Sequence, residues 1–138
     1  MTNNTQKIKG SLLFKLAAYS ALSAAVLNVI LFYAFSATGT IDPTILVNGQ
    51  SIQVFHILMS SILPTFVAAL VFLLIGRFSK RPWNIFKILS LVLLVLSFMN
   101  PFMGIPGITI GMGVVLNVMH VVVVLPIFYF FPKSLTDH

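Results

Sequence analysis

The sequence has no cysteine and only two acidic residues, Asp42 and Asp137, among 138 positions. The missing cysteines exclude disulfides, thiolate metal sites and cysteine nucleophiles. Charged residues make up 7% of the chain, whereas a soluble domain carries about 25% because its surface faces water. Hydrophobic residues reach 59%. A chain of this composition is expected to present its surface to lipid.

Both acidic residues lie outside the long apolar runs, Asp42 in a connection and Asp137 near the C-terminus. The apolar runs therefore offer no carboxylate for proton-coupled export of the kind used by small four-helix multidrug exporters. Two-carboxylate hydrolysis and carboxylate-ligated metals are equally unsupported. Because no nucleophile, acid and orienting group converge, we predict that the protein is not an enzyme and holds no cofactor or metal.

Four apolar runs are long enough to cross a hydrocarbon core, which takes roughly 20 residues of helix. They cover about residues 12–36, 53–76, 84–103 and 109–131. The runs are continuous rather than alternating, which excludes β-barrel strands. The first is too long for a signal-peptide core, so we interpret it as a retained helix. The sequence predicts one all-α domain, an integral membrane four-helix antiparallel bundle with a tail at 132–138.

The distribution of basic residues predicts the orientation of these helices. The first and third connections, residues 37–52 and 104–108, contain no lysine or arginine. Both termini should therefore face the cytoplasm, in a plasma or bacterial inner membrane. No basic helix face exists, so nucleic acid is excluded as a partner and the lipid bilayer is the expected one. The basic residues are Lys7, Lys9, Lys15, Arg77, Lys80, Arg81, Lys87 and Lys133.

The first connection contains a turn signal. Asn48-Gly49 stands between segments that include β-branched residues, from Thr44 to Ile52. This arrangement is typical of a hairpin. We predict a short hairpin-like loop on the outer side, with a flexible loop as the alternative.

Each apolar run has one helical face of small or polar residues, and such faces are expected to turn inward. These faces are Ala17, Ala21, Ala24 and Asn28 in the first run, Gln53, His56, Ser60 and Pro64 in the second, Ser90, Ser97 and Asn100 in the third, and Gly113, Asn117 and His120 in the fourth.

Counted from the outer ends, most of the polar side chains fall in the outer half of the membrane, with His120 near the middle. The sequence thus predicts a polar outer half and an apolar inner plug. The candidate site residues are Asn28, His56, Ser60, Ser97, Asn100, Asn117 and His120.

Three interpretations of these residues remain open. They bind helices or protomers to one another, each hydrogen bond contributing about 0.6 kcal/mol. Alternatively they line an outward-facing cavity that binds a small molecule or ion in a transport or sensing component, or a pore at a homo-oligomer interface. Haem is disfavoured, because His56 and His120 are expected to differ in depth by roughly 13 Å.

Short motifs follow or close the predicted spans: Gly76-Arg77 and Arg81-Pro82 after the second, Ser97 and Pro101 at the third, and Met119-His120 in the fourth. With these motifs, residues 53–131 resemble a family of small bacterial four-helix membrane proteins of unknown function. The resemblance implies the same architecture. It also draws attention to His120, because a similar Met-His pair occurs in the last span of that family, but it implies no chemistry.

Overall fold

The computed structural model describes residues 5–137, with side chains for residues 5–136, so His138 of the predicted tail lies outside the described residues. Three helices are long and apolar enough to cross a membrane, namely α1, α2 and α5. The fold is therefore all-α and membrane-like, as the sequence predicts. The described helices are α1 (Gly10–Ala37), α2 (Val54–Phe78), α3 (Pro82–Ser97), α4 (Asn100–Gly104) and α5 (Ile110–Phe130).

The third apolar run differs from the continuous helix predicted for residues 84–103. Helix α3 ends at Ser97 after 16 residues, a length of about 24 Å, and α4 is a separate helix of five residues. Pro101 has no N–H to donate to the carbonyl of Ser97, and its ring crowds that carbonyl, which ends α3 there. Because α3 is shorter than a hydrocarbon core of about 30 Å, four crossings and their orientation stay predictions.

Helix α1 packs through its small residues, and Ala17, Ala21 and Ala24 are all buried. On α2, however, the fully buried face lies one position away from the predicted inward face. Ser60 is exposed while Ser61 and the residues one and two turns further on are buried. The recurrence of three and four residues fits two adjacent faces. The Ser61 hydroxyl on this buried face finds its hydrogen-bond acceptor within α2, since Ser61 Oγ donates to the carbonyl of Ile57 at 2.9 Å.

An apolar cluster fills the end of the molecule that carries the basic residues. Phe72, Phe86 and Phe131 are almost fully buried, and the rings of Phe72 and Phe86 lie 4.8 Å apart. Trp83 packs edge-on against Phe72 at 5.9 Å. This cluster corresponds to the apolar plug expected from the sequence.

A two-stranded ribbon closes the same end. Strand β1 (Gln6–Ile8) pairs antiparallel with β4 (Leu135–Asp137), which follows a 3₁₀ turn at Phe131–Ser134. Ile8 lies against Gly76 of α2, where a Cβ would come within 2.5 Å of the isoleucine Cδ1 atom. Residues 132–137, predicted to be a tail, are therefore part of the folded structure.

The connection between α1 and α2 forms the expected hairpin. Strand β2 (Leu46–Val47) pairs antiparallel with β3 (Gln50–Ser51). Asn48 and Gly49 connect them with φ angles of 52° and 80°. Two positive φ angles define a type I′ turn, for which Asn-Gly is the favoured dipeptide.

Candidate functional site

A partly open cavity of about 730 Å³ lies between the β2–β3 hairpin and helices α1, α2, α4 and α5. None of the described residues that line the cavity carries a formal charge at neutral pH when histidine is counted as neutral. The lining comprises Asn28, Val47, Asn48, Gln50, Ser51, Ile52, His56, Ile57, Ser60, Asn100, Pro101, Gly104, Ile105, Leu116, Met119, His120 and Val123.

Five of the seven candidate residues meet in this cavity although they come from four helices. Asn28 belongs to α1, His56 and Ser60 to α2, Asn100 to α4 and His120 to α5. At 1.5 Å per residue, Ser60 lies about 9 Å from the start of its helix and His120 about 15 Å from the start of α5. The cavity therefore extends from the hairpin to about the middle of the helices.

Asn28 lines the cavity and is only 2% exposed. Its Nδ2 donates to Ser61 Oγ at 3.0 Å and to the carbonyl of Met119 at 3.2 Å. One side chain thus links α1, α2 and α5. Its Oδ1 is buried and accepts no hydrogen bond from the described residues. The carboxamide uses its donors for packing and leaves one buried acceptor without a partner beside the cavity.

His120 supplies a second unused polar atom. Its Nδ1 is buried and makes no hydrogen bond of standard geometry within residues 5–136, although the carbonyl of Leu116 lies one turn earlier on α5. An imidazole has one donor and one acceptor nitrogen when neutral. His120 therefore adds hydrogen-bonding capacity near the middle of the helices.

His56 is held by the start of α2. Its Nδ1 accepts from the backbone N–H of Gln53 at 3.1 Å, and the Gln53 side chain accepts in return from the backbone of His56. This reciprocal arrangement is a capping box, which satisfies helix donors that have no partner in the preceding turn. When His56 is neutral, its hydrogen is consequently on Nε2.

Ser60 lines the cavity one helical turn before the proline of α2. Its Oγ donates to the carbonyl of Ile57 at 3.0 Å. Pro64, four residues later in α2, has no N–H for the Ser60 carbonyl. The turn of α2 that lines the cavity therefore carries an acceptor that the helix does not use.

Two candidate residues, Asn117 and Ser97, do not line the cavity. Asn117 Nδ2 donates to the carbonyl of Phe98 at 3.0 Å, which joins α5 to the break between α3 and α4. Ser97 Oγ donates to the carbonyl of Leu94 in its own helix at 2.7 Å. Asn117 thus positions the segment that carries Asn100, and Ser97 has a local role.

The sequence reasoning missed the residues that the hairpin contributes, Asn48, Gln50 and Ser51. The Asn-Gly signal locates the turn but does not show which helices it covers. Sequence reasoning also missed Ser61, the hydrogen-bond partner of Asn28. Ser61 stands one helical turn from both Ile57 and Thr65, and this spacing could have indicated a shared helical face.

The cavity has the chemistry of neutral hydrogen bonding. Amides, hydroxyls and imidazoles line it together with the apolar side chains of Ile57, Leu116 and Met119. Within residues 5–136, no group of three or more histidine or acidic side chains is placed to hold a metal ion. The absence of cofactors and metals stays a prediction.

The structure thus defines an all-α protein with membrane-like helices and an uncharged polar cavity under the β2–β3 hairpin. The chain belongs to a family of unknown function, DUF6069, which it matches over residues 10–137. The resemblance seen from residue 53 onward is confirmed, and the match also includes α1 and the hairpin. No curated protein and no solved structure matches the chain.

Proposed function

We propose that this is a non-enzymatic multi-pass membrane protein that binds a small uncharged molecule beneath the β2–β3 hairpin, as a transport or sensing component. The supporting observation is that polar residues from four helices and the hairpin line one cavity, where Asn28 Oδ1 and His120 Nδ1 have no hydrogen-bond partner among the described residues. A volume of about 730 Å³ suits a small molecule, for which sites of roughly 300–1,000 Å³ are usual.

The lining favours an uncharged ligand over an ion. Moving an ion out of water is costly unless an opposite charge or a full set of ligands replaces its hydration shell. The wall carries neutral donors and acceptors instead, beside apolar groups such as Leu116 and Met119. A molecule with an apolar body and at least one donor fits this surface. Because Asn28 Oδ1 is buried, a hydrogen bond to it requires the neighbouring side chains to move aside.

Access to the cavity is tested with single cysteines, because the native chain has none. Ser60→Cys lies in the cavity wall, whereas its neighbour Ser61 is fully buried against Asn28. N-ethylmaleimide should alkylate Ser60→Cys in the folded, membrane-embedded protein and leave Ser61→Cys unmodified. Equal rates at the two positions would contradict the cavity.

Binding is tested by protection of Ser60→Cys with 1-naphthol, an uncharged probe with an apolar ring and one O–H donor. We expect it to slow alkylation more than 1-methoxynaphthalene, which lacks the donor. Asn28→Leu should remove that difference. If neither compound protects Ser60→Cys, or both protect equally with Asn28 present, the proposed ligand chemistry is wrong.

A structural or interaction role is the second candidate, supported by the amides of Asn28 and Asn117, whose donors bridge helices. His120→Leu separates the two functions. Under the binding proposal the variant stays folded and loses stabilisation by 1-naphthol in a thermal unfolding assay. Loss of the fold or of a homo-oligomer in this variant supports the structural role instead.

A further inference from the structure

The end of the molecule opposite the cavity gathers basic residues from both ends of the chain and from the region around the α2–α3 connection. The backbone N–H of Gln6 donates to the carbonyl of Lys80 at 3.2 Å, and that of Lys9 to Ser134 at 2.9 Å. The first bond places β1 beside the α2–α3 connection, and the second places it beside Lys133. The ribbon thus joins cations of both chain ends to those of the α2–α3 connection in one basic surface, and this pairing was not evident from the sequence.

This surface has little opposing charge. All eight lysine and arginine side chains are exposed. Asp137 is the one acidic residue of the sequence near this end, and Asp42 is in the loop after α1, at the far end of that helix. A surface with this excess of positive charge attracts anions.

Lys15 and Lys87 indicate which anions these are. Each lies five residues after the first residue of its helix, α1 or α3, about 7.5 Å along the axis. Both are exposed, and each is the only charged residue of its helix. In a membrane, lysines at this depth extend their ammonium groups back towards the lipid phosphates.

Lys133 is held in a similar setting. Its Nζ lies 3.7 Å from the centre of the Tyr129 ring, a cation–π contact. Aromatic side chains prefer the membrane interface, so this contact keeps a cation at headgroup level. We propose that the surface formed by β1, the α2–α3 connection and Lys133 binds the phosphate groups of anionic phospholipids. This proposal is independent of the ligand in the cavity.

Trp83 is the only tryptophan and follows Arg81 by two residues, so its fluorescence reports on lipids at this surface. The protein is reconstituted into bilayers that contain a small fraction of brominated phosphatidylglycerol or brominated phosphatidylcholine. We expect the anionic lipid to quench Trp83 at a several-fold lower fraction. This preference should shrink in high salt, because salt screens the attraction.

The paired variant Lys80→Gln/Arg81→Gln should lower the preference, by up to about fivefold for each charge removed. Lys80→Arg/Arg81→Lys keeps the charge and should retain the preference. Equal quenching by both lipids in the native protein would overturn the proposal, and the cations would then serve orientation alone. A preference that survives the glutamine substitutions would also overturn it at this location.

Protection of Ser60→Cys by 1-naphthol should be the same in the glutamine variant. Loss of lipid preference with intact protection supports two separate sites. Loss of both would show that the substitution disturbs the whole fold, and partial neutralisation with Lys80→Gln alone then decides whether the lipid preference falls with charge.

Discussion

The hydrogen bond from Asn28 to Ser61 gives a quantitative test of how the bundle is held together. The bond is 3.0 Å long and joins α1 to α2 in a fully buried setting. Interhelical hydrogen bonds in membrane proteins contribute about 0.6 kcal/mol on average and rarely more than about 1.7 kcal/mol. We expect the coupling free energy between these two side chains to lie in that range.

The effect of Asn28→Leu alone is a poor measure of this bond. The substitution removes both donor interactions, but it also removes the buried Oδ1 that has no partner in the described structure. Burying such an unpaired acceptor costs about 1–3 kcal/mol, depending on its surroundings. The two contributions oppose each other, so the net change in the free energy of unfolding is small and its sign uninformative.

A double-mutant cycle separates the contributions. Asn28→Leu, Ser61→Ala and the double variant are unfolded reversibly with sodium dodecyl sulfate from a mild detergent. Ser61 Oγ also bonds to the carbonyl of Ile57, and this bond cancels in the cycle. We expect a coupling of about 0.6 kcal/mol. A cycle of Asn28→Leu with Ser60→Ala is the control, because no hydrogen bond joins that pair.

A coupling indistinguishable from zero for Asn28 and Ser61 would refute the assignment of this bond as stabilising. A coupling equal to that of the control pair would do so as well, since it would reflect general softening of the bundle.

Three further predictions concern the half of the molecule that carries the β2–β3 hairpin. Gly49→Val places a β-branched residue at a φ of 80°, which costs roughly 1–2 kcal/mol. The hairpin should therefore open more often, and N-ethylmaleimide should alkylate Ser60→Cys about 5–30 times faster. The hydroxyl and backbone N–H of Thr44 hold the pKa of Asp42 below its ordinary value. The loop contact is therefore intact above the unfolded pKa and is lost as pH falls through the lower, folded pKa. Exchange of the Thr44 amide hydrogen should rise in that lower pH range, and the absence of a rise would count against the contact. Asn117→Leu should free the α3–α4 break and speed hydrogen exchange in α4 about threefold, as expected for a bond of about 0.6 kcal/mol, and unchanged exchange would argue against its positioning role.

Much of the fold was predictable because membrane-spanning helices are recognised by long continuous runs of apolar residues. The bounds expected for α1, α2 and α5 agree with the structure within about two residues. The hairpin followed from Asn48-Gly49, since few dipeptides accept two positive φ angles. The β1–β4 ribbon was not predictable, because each strand has three residues and the pairing joins opposite ends of the chain.

The candidate site was predictable in residue type but not in role. Asn117 and His120 stand one turn apart in α5, yet Asn117 bonds to the α3–α4 break and His120 lines the cavity. That distinction depends on where Pro101 ends α3. The position of this break is a property of the neighbouring helix, and the sequence pattern of α5 alone does not indicate it.

The short third helix explains why the cavity lies at the end of the bundle that carries the β2–β3 hairpin. At about 24 Å, α3 is roughly 8 Å shorter than the 21-residue α5, and at the other end Phe72, Phe86 and Phe131 leave little free space. Protein interiors are normally close-packed, and a polar space of this size is costly unless water or a ligand fills it. The gap left by α3 is bordered by α4 and the hairpin and contains Asn28 and His120. The break at Pro101 is therefore the feature that creates the proposed binding site, and a variant that restores a continuous helix, such as Pro101→Ala, should reduce alkylation of Ser60→Cys even though no lining hydrogen-bonding group is removed.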